Sequence, residues 1–257
     1  MKHYQDIDDP ARQVIGLADE YATGFTDPFH SHKRAQLLYA SSGIMSVEAA
    51  SASFVVPPQR ALWIPRGVVH QVSCRGGVSL RTLYFMESDN TPSGECKILE
   101  VSDFLRALIL EVVKFDPANS NQERESAIIK LLSNEINDMP AAPYHVPMPT
   151  DKRLAAVCRE LLKNPTDKRN LDEWAAFAGF GRRTFTRLFR TETGMGLATW
   201  RQQARLLEAL SLLSSGQSVT TVAYAVGYDS PSAFTAMFHR SFGVPPSQYR
   251  FTETHTD

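Results

Sequence analysis

Arg182, Arg183, Thr186, Arg187 and Arg190 have the types and spacing that suit nucleic acid. The last four fall at i, i+3, i+4 and i+7, one stripe of a helix, and Arg182 stands at its start. A guanidinium is a planar fork of donors that binds guanine O6 and N7 through two parallel hydrogen bonds and also clamps phosphate. The competing reading is a solvated basic face. A second set lies near the other end of the chain: His30, His32, Gln36 and His70. Three neutral imidazoles and an amide oxygen can hold one divalent transition metal. The same groups can also be the hydrogen-bonding side chains of a metal-free pocket. His30, His32 and Gln36 share parity, so an unbroken strand points all three to one face. The uncharged amide should hold a cation less tightly than a carboxylate. No Ser/His/Asp set, nucleophile elbow or P-loop is visible, so no enzyme is expected.

The arginine stripe belongs to a unit that occurs twice. At an offset of 48, Leu171, Trp174, Ala175, Ala178, Gly179 and Phe180 meet Val219, Val222, Ala223, Val226, Gly227 and Tyr228. At an offset of 49, Phe185, Thr186, Leu188, Phe189, Gly194 and Trp200 meet Phe234, Thr235, Met237, Phe238, Gly243 and Tyr249. Two copies are too few for a repeat array. Each opens with a short amphipathic helix whose alanine stands four residues before a glycine suited to a left-handed turn. The following helix buries Phe185, Leu188 and Phe189, or Phe234, Met237 and Phe238. This is a helix-turn-helix, whose second helix enters the major groove.

The second copy presents Ser232, Thr235, Ala236 and His239 outward, with Arg240 beside them. Ala236 replaces Arg187 and cannot hydrogen-bond a base. This unit is expected to add phosphate contacts and shape readout, or to be structural only. Between the copies, residues 197–215 read as a helix roughly 28 Å long with an apolar stripe of Trp200, Ala204, Leu207 and Leu210 or Leu213. One B-DNA turn is about 34 Å, so the helix can hold two readers on successive turns.

LDEWAAFAGFGRRTFTRLFRTETG and VTTVAYAVGYDSPSAFTAMFHRSFGVPPSQYR, which ends in Phe-Gly-x-Pro-Pro-x-x-Tyr-Arg, resemble the AraC/XylS family of transcription regulators over about residues 151–250. The resemblance implies recognition helices in adjacent major grooves. By the same resemblance, base-reading positions are expected at Arg183 and Arg187, and at Ser232 and Ala236.

The first 90 residues alternate short apolar stretches with Gly, Ser and Pro turns, the mark of an antiparallel sandwich or barrel. Gly24-x5-His30-x-His32-x3-Gln36-x6-Gly43 and Pro65-x-Gly67-x2-His70-x3-Cys74 resemble the two motifs of the cupin superfamily over about residues 15–86. The resemblance implies a small β-barrel with one metal on three histidines and a glutamate. Here Gln36 replaces the glutamate, and Cys74 replaces the usual closing asparagine. Trp63 reads as core and Pro57-Pro58 as a turn. Lys33-Arg34 reads as a solvated strand end, or as a pair greeting an anionic effector at the barrel mouth.

Residues 98–115 read as an apolar helix with a stripe of Leu105, Leu108, Ile109 and Val112. Residues 122–138 read as a second, with Ile128, Leu131 and Leu132. The pair either packs on the barrel or joins another chain, and the AraC/XylS resemblance favours a homodimer. Residues 139–150, with four prolines, read as a linker. His3, His145 and His255 are expected in flexible segments without a role.

Net charge −1 hides a split: residues 151–257 hold 14 basic and 10 acidic side chains, residues 1–150 hold 13 and 18. The +4 half is the expected nucleic-acid-binding portion. Cys74, Cys96 and Cys158 form no CxxC pair, against a zinc ribbon or disulfide framework. No apolar run reaches the ~18 residues that span a bilayer, and the polar N-terminus shows no signal peptide. A cytoplasmic protein without membrane contact is expected. The expected fold is an α+β multidomain chain. A cupin-like β-barrel sensor occupies 1–97, a helical dimerisation or packing segment 98–138, a Pro-rich linker 139–150, and an all-α double helix-turn-helix domain 151–257. Its expected function is sequence-specific binding of double-stranded promoter DNA as a transcription regulator. A small-molecule or metal effector would control it, and RNA polymerase would be a further partner. The rivals are a metal-dependent cupin enzyme carrying a DNA-binding domain, and a ligand-independent architectural protein.

Overall fold

The structure, a computed structural model, describes residues 9–49, 51–74, 76–86, 94–116, 121–140 and 145–249. His3, Arg250 and His255 lie outside these. The chain divides into two compact units, residues 1–47 with 56–143, and 48–55 with 144–250.

Among the described residues nine strands precede the first helix: β1 Val14–Tyr21, β2 Thr26–His30, β3 Ala35–Ser42, β4 Met45–Ala49, β5 Ala52–Val56, β6 Arg60–Ile64, β7 His70–Cys74, β8 Val78–Phe85 and β9 Lys97–Glu100. One sheet has the order β1-β8-β3-β6-β9. The other has the order β10-β5-β4-β7-β2, where β10 is His145–Pro147. Alternation along β3 sends its side chains to two faces. Ala35, Leu37 and Tyr39 join a core with Trp63, Leu83 and Phe85, while Gln36 and Leu38 face a cavity. Pro57 and Pro58 make the turn between β5 and β6, as their types suggest.

The expected helix from residue 98 begins later. Ile98 and Leu99 are buried in β9, which pairs with β6. Helix α1 then runs Asp103–Val113, with the Ser102 hydroxyl accepting from Leu105 N at 3.1 Å. The cap decides the boundary, since it satisfies an otherwise orphaned first-turn N–H. The α1 stripe is buried as expected, at Leu105, Leu108, Ile109 and Val112, but inside this chain's own core. It is therefore consumed by packing and offers no apolar stripe to another chain. Gly16 on β1 permits the close approach of α1, because a Cβ there would stand 2.7 Å from Val113 Cα.

In α2, Gln122–Asp138, the buried side is set by Leu132 and Ile136, with Ile128 half-buried. Leu131, expected in that stripe, is 47% exposed. Arg34 also departs from expectation. It is buried and donates to the backbone oxygens of Asp9, Arg12 and Gln13, anchoring the segment before β1. Three carbonyl acceptors replace its lost hydration.

The Pro-rich stretch is not simply a linker. His145–Pro147 forms β10 against β5, and Met148 N donates to Ser51 O at 2.8 Å. An edge strand leaves free backbone groups that an extended, proline-bounded segment can satisfy. His145 is thus a strand residue, paired with Phe54.

Seven elements follow: α3 Lys152–Lys163, α4 Leu171–Phe177, α5 Arg182–Thr193, α6 Leu197–Ser214, α7 Val219–Ala225, α8 Pro231–Phe242 and a 3-10 turn Pro246–Gln248. The helix between the copies, α6, carries more than a single stripe. Besides Trp200, Ala204, Leu207, Leu210 and Leu213, it buries Leu206, Ala209 and Ser211. It is the core helix around which the two copies pack.

Candidate DNA interface and effector pocket

Local chemistry builds each helix-turn-helix. Asn170 and Glu173 close a reciprocal capping box at the start of α4. Gly179 and Gly227 take the left-handed turn, at φ 69° and 81°. Phe185 and Phe189 of α5 are buried and stacked, centroids 5.6 Å apart, and Phe189 meets Trp200 edge-on. In the second copy Phe238 meets Tyr249 edge-on, so the aligned aromatic pairs serve the same joint.

Burying that face turns the polar stripe outward. Arg182, Arg183, Thr186, Arg187 and Arg190 are all exposed and line one open concave surface. Arg182 forms a solvent-exposed ion pair with Asp172 at 2.8 Å, a link weak enough to exchange for phosphate. Thr186 donates its hydroxyl to Arg182 O at 2.9 Å, which leaves its oxygen as an acceptor. On α8, capped by Ser230 with Pro231 at its first turn, Ser232, Ala236, His239 and Arg240 are exposed and Thr235 is half-buried.

Several arginines of this unit instead hold the framework, which sequence spacing did not single out. Arg169 pairs with Asp167 at 2.7 Å and lies over the Trp174 ring at 3.7 Å. Arg205 donates to Pro165 O at 2.9 Å, and Arg201 donates to Asp167 O. The signal was faint: Arg201 and Arg205 are half-buried on α6, where an arginine must find backbone acceptors, and Arg169 lies in the loop before α4.

In the first unit, His30, His32 and His70 come together. One ligand atom from each lies within 4.8 Å of the others. Shared strand parity is not what assembles them. His30 ends β2, His32 lies in the following loop and Gln36 is on β3 of the other sheet. The chain crosses between sheets here, so the unbroken strand that the parity argument assumed does not exist. Nδ1 of His30 is 2.7 Å from Pro28 O, and Nδ1 of His70 is 3.0 Å from Val68 O. A carbonyl can only accept, so Nδ1 carries the proton in both rings, which leaves Nε2 of a neutral ring its lone pair; Nε2 of His30 lies 3.7 Å from Asp27 Oδ2. Burial holds the His70 imidazole below the ordinary histidine range, hence neutral. A neutral ring held by Nδ1–H to a carbonyl leaves Nε2 able to ligate a metal. Burial pushes the Cys74 and Cys96 thiols up to about 11, which makes both poor thiolate ligands.

Beside the histidines lies a cavity of about 70 Å³ between the two sheets. Its polar lining includes His30, Gln36, Asp19, Asp27, Thr82 and Tyr84, and its apolar wall Leu38, Val72 and Leu80.

Residues 13–112 match the model of an AraC-like ligand binding domain, and residues 174–251 that of a helix-turn-helix domain. The HTH-type transcriptional regulator NimR of Escherichia coli is 32% identical over 224 residues, 87% of this chain and 82% of NimR. This chain belongs to the AraC family of transcription regulators. The AraC-family member RipA of Corynebacterium glutamicum is 36% identical over 103 residues, 40% of this chain and 31% of its own. A solved structure of ToxT from Vibrio cholerae covers 93% of this chain and 98% of its own at 13% identity, TM-score 0.40. As an AraC-family regulator the protein joins a cupin-like ligand-binding domain to a helical DNA-binding domain. No helix among the described residues is long and apolar enough to cross a membrane.

Proposed function

We propose that this regulator reads double-stranded promoter DNA chiefly through α5, with Arg183 and Arg187 on bases and Arg182, Thr186 and Arg190 on the backbone. On α8, Ser232, Thr235, His239 and Arg240 supply backbone contacts and shape readout. The observation that carries this is the exposed arginine stripe of α5, set opposite Phe185 and Phe189. The test is DNase footprinting of the full chain on the promoter of the neighbouring gene, across a salt series. Counterion release demands a steep loss of affinity with salt. Salt-independent binding, or no footprint, overturns the reading.

A small molecule in the first unit's cavity controls this binding. His30, His32 and His70 would hold one divalent transition metal, because Nε2 lone pairs and a neutral His70 suit an imidazole-rich site. The protein works in the cytoplasm as a homodimer that engages RNA polymerase. With the α1 stripe buried, pairing falls to the outer faces of α1 and α2, where Phe104 and Leu131 are about half exposed. It is not an enzyme. Turnover dependent on His30 and His70 would show otherwise.

A further inference from the structure

The hydrogen-bond network assigns the orientation of the Gln36 amide. Thr82 donates its only hydroxyl hydrogen to Leu37 O at 3.2 Å, so its oxygen must accept. The Gln36 atom 3.0 Å from that oxygen is therefore Nε2, and the same nitrogen is 3.2 Å from the Tyr84 hydroxyl oxygen. Both amide hydrogens are used. The carbonyl Oε1 is left buried without a protein partner, on a side chain only 4% exposed. Leaving a buried acceptor unmet costs about 1–3 kcal/mol. Two strands hold the amide in that state, and Gln36 lines the cavity.

Charge narrows what the cavity can take. Asp19 and Asp27 line it, Asp27 with His30 Nε2 at 3.7 Å, and no lysine or arginine does among the described residues. With no metal on the histidines, an anion entering would meet like charge and an acceptor. The volume of about 70 Å³ is below the ~150 Å³ that encloses benzene, so the head group that fits is smaller than a six-membered ring. Leu38, Val72 and Leu80 can cover an apolar flank.

We propose that the effector carries a compact N–H donor head group, an amidine, guanidine or primary amide. Its N–H donates to Gln36 Oε1, Asp27 meets its charge or second N–H, and carboxylate and phosphate effectors are rejected. This assigns Gln36 to the effector rather than to the metal as a fourth ligand. It rests on the reading of the first unit as the effector domain, but not on the metal.

Acetamidine, acetamide and acetate share one shape and differ in charge and donors. Calorimetric titration of the chelator-treated full chain with each should rank acetamidine first, acetamide second and acetate last, at least about tenfold weaker than acetamidine. Gln36→Met, which removes the acceptor and keeps the bulk, should weaken both donors about tenfold. Asp27→Asn should bring acetamidine down to the acetamide level and leave acetamide unchanged. The ranking on the unaltered chain needs no variant, so misfolding of Gln36→Met does not remove the test. Acetate binding as tightly as acetamidine overturns the proposal. So does binding of none of the three, or indifference to both substitutions. If Gln36→Met instead lowers affinity for titrated nickel and leaves acetamidine binding intact, Oε1 is a metal ligand and the assignment is wrong. Failure of the effector-domain reading has a separate signature: promoter binding that no small molecule or metal alters.

Discussion

His30 and His70 are direct cross-strand partners on β2 and β7, with ring centroids 4.4 Å apart. The register of β2 shifts between Asp27 and His30, which places the last residue of β2 opposite the first of β7. His32 then completes the cluster from the loop, its ring 4.8 Å from that of His30. Side chains 40 residues apart are aligned by backbone pairing, and each donates Nδ1–H to a carbonyl two residues earlier.

The chelator-treated chain should therefore take up about one equivalent of zinc, nickel, iron or manganese on titration. The double substitution His30→Ala with His32→Ala should abolish uptake and leave promoter binding capacity in place. Elemental analysis decides. Less than about a tenth of an equivalent in the unaltered chain, with no uptake on titration, makes these histidines pocket hydrogen-bonding groups.

On DNA, Arg187→Ala should cost about 1–3 kcal/mol at the promoter site and relax the preference for one base. Ser232→Ala should cost much less. Gel-shift titrations on matched and mismatched sites measure both. Equal losses would show that the two copies share base reading. A loss at Arg187 of the same size on every sequence would make it a phosphate clamp.

The two turn glycines should respond unequally to alanine. Both take left-handed φ, at a cost of about 1 kcal/mol for a side chain. A Cβ at Gly179 meets nothing, whereas one at Gly227 would stand 2.6 Å from an Arg205 terminal nitrogen and 3.0 Å from Pro165 O. Gly179→Ala should lower stability by about 1 kcal/mol, and Gly227→Ala by more, because it also displaces Arg205. Urea denaturation followed at the second unit compares them, and equal midpoints would contradict the crowding argument.

Acid should loosen the second unit through Asp167. Hydrogen bonds from the Arg169 guanidinium hold its carboxyl below the ordinary value of 3.8. A carboxyl with a lowered folded pKa stabilises the fold above its unfolded pKa, and that stabilisation fades as pH falls through the folded value. Asp167→Asn should therefore lower stability at pH 7, with the difference shrinking below about pH 4. A difference that stays constant from pH 7 to about pH 3 would assign the effect to packing of Arg169 on Trp174 rather than to charge.

Much of the second unit was legible in the residues. Its helices obey a 3.6-residue period, and its turns require glycine at 179 and 227. Its two copies report each other: Phe189 and Phe238 recur at the same joint, with Trp200 and Tyr249 edge-on in turn. Such signals are local, so one sequence window contains them. Types and motif spacing also picked out His30, His32, Gln36 and His70, though strand parity was the wrong reason for bringing them together.

Only the tertiary structure decided the rest. Parity along one chain segment cannot reveal that the backbone leaves one sheet after His30 and enters the other before Gln36. Nor can it show that Thr82 and Tyr84 turn the Gln36 amide, because those partners lie 46 and 48 residues away. The burial of the α1 stripe within its own chain, the capture of residues 145–147 by β5, and the buried role of Arg34 are likewise long-range pairings. Backbone hydrogen bonds between distant segments and the desolvation cost of unmet polar groups fix them, and neither is written in the period of a single element.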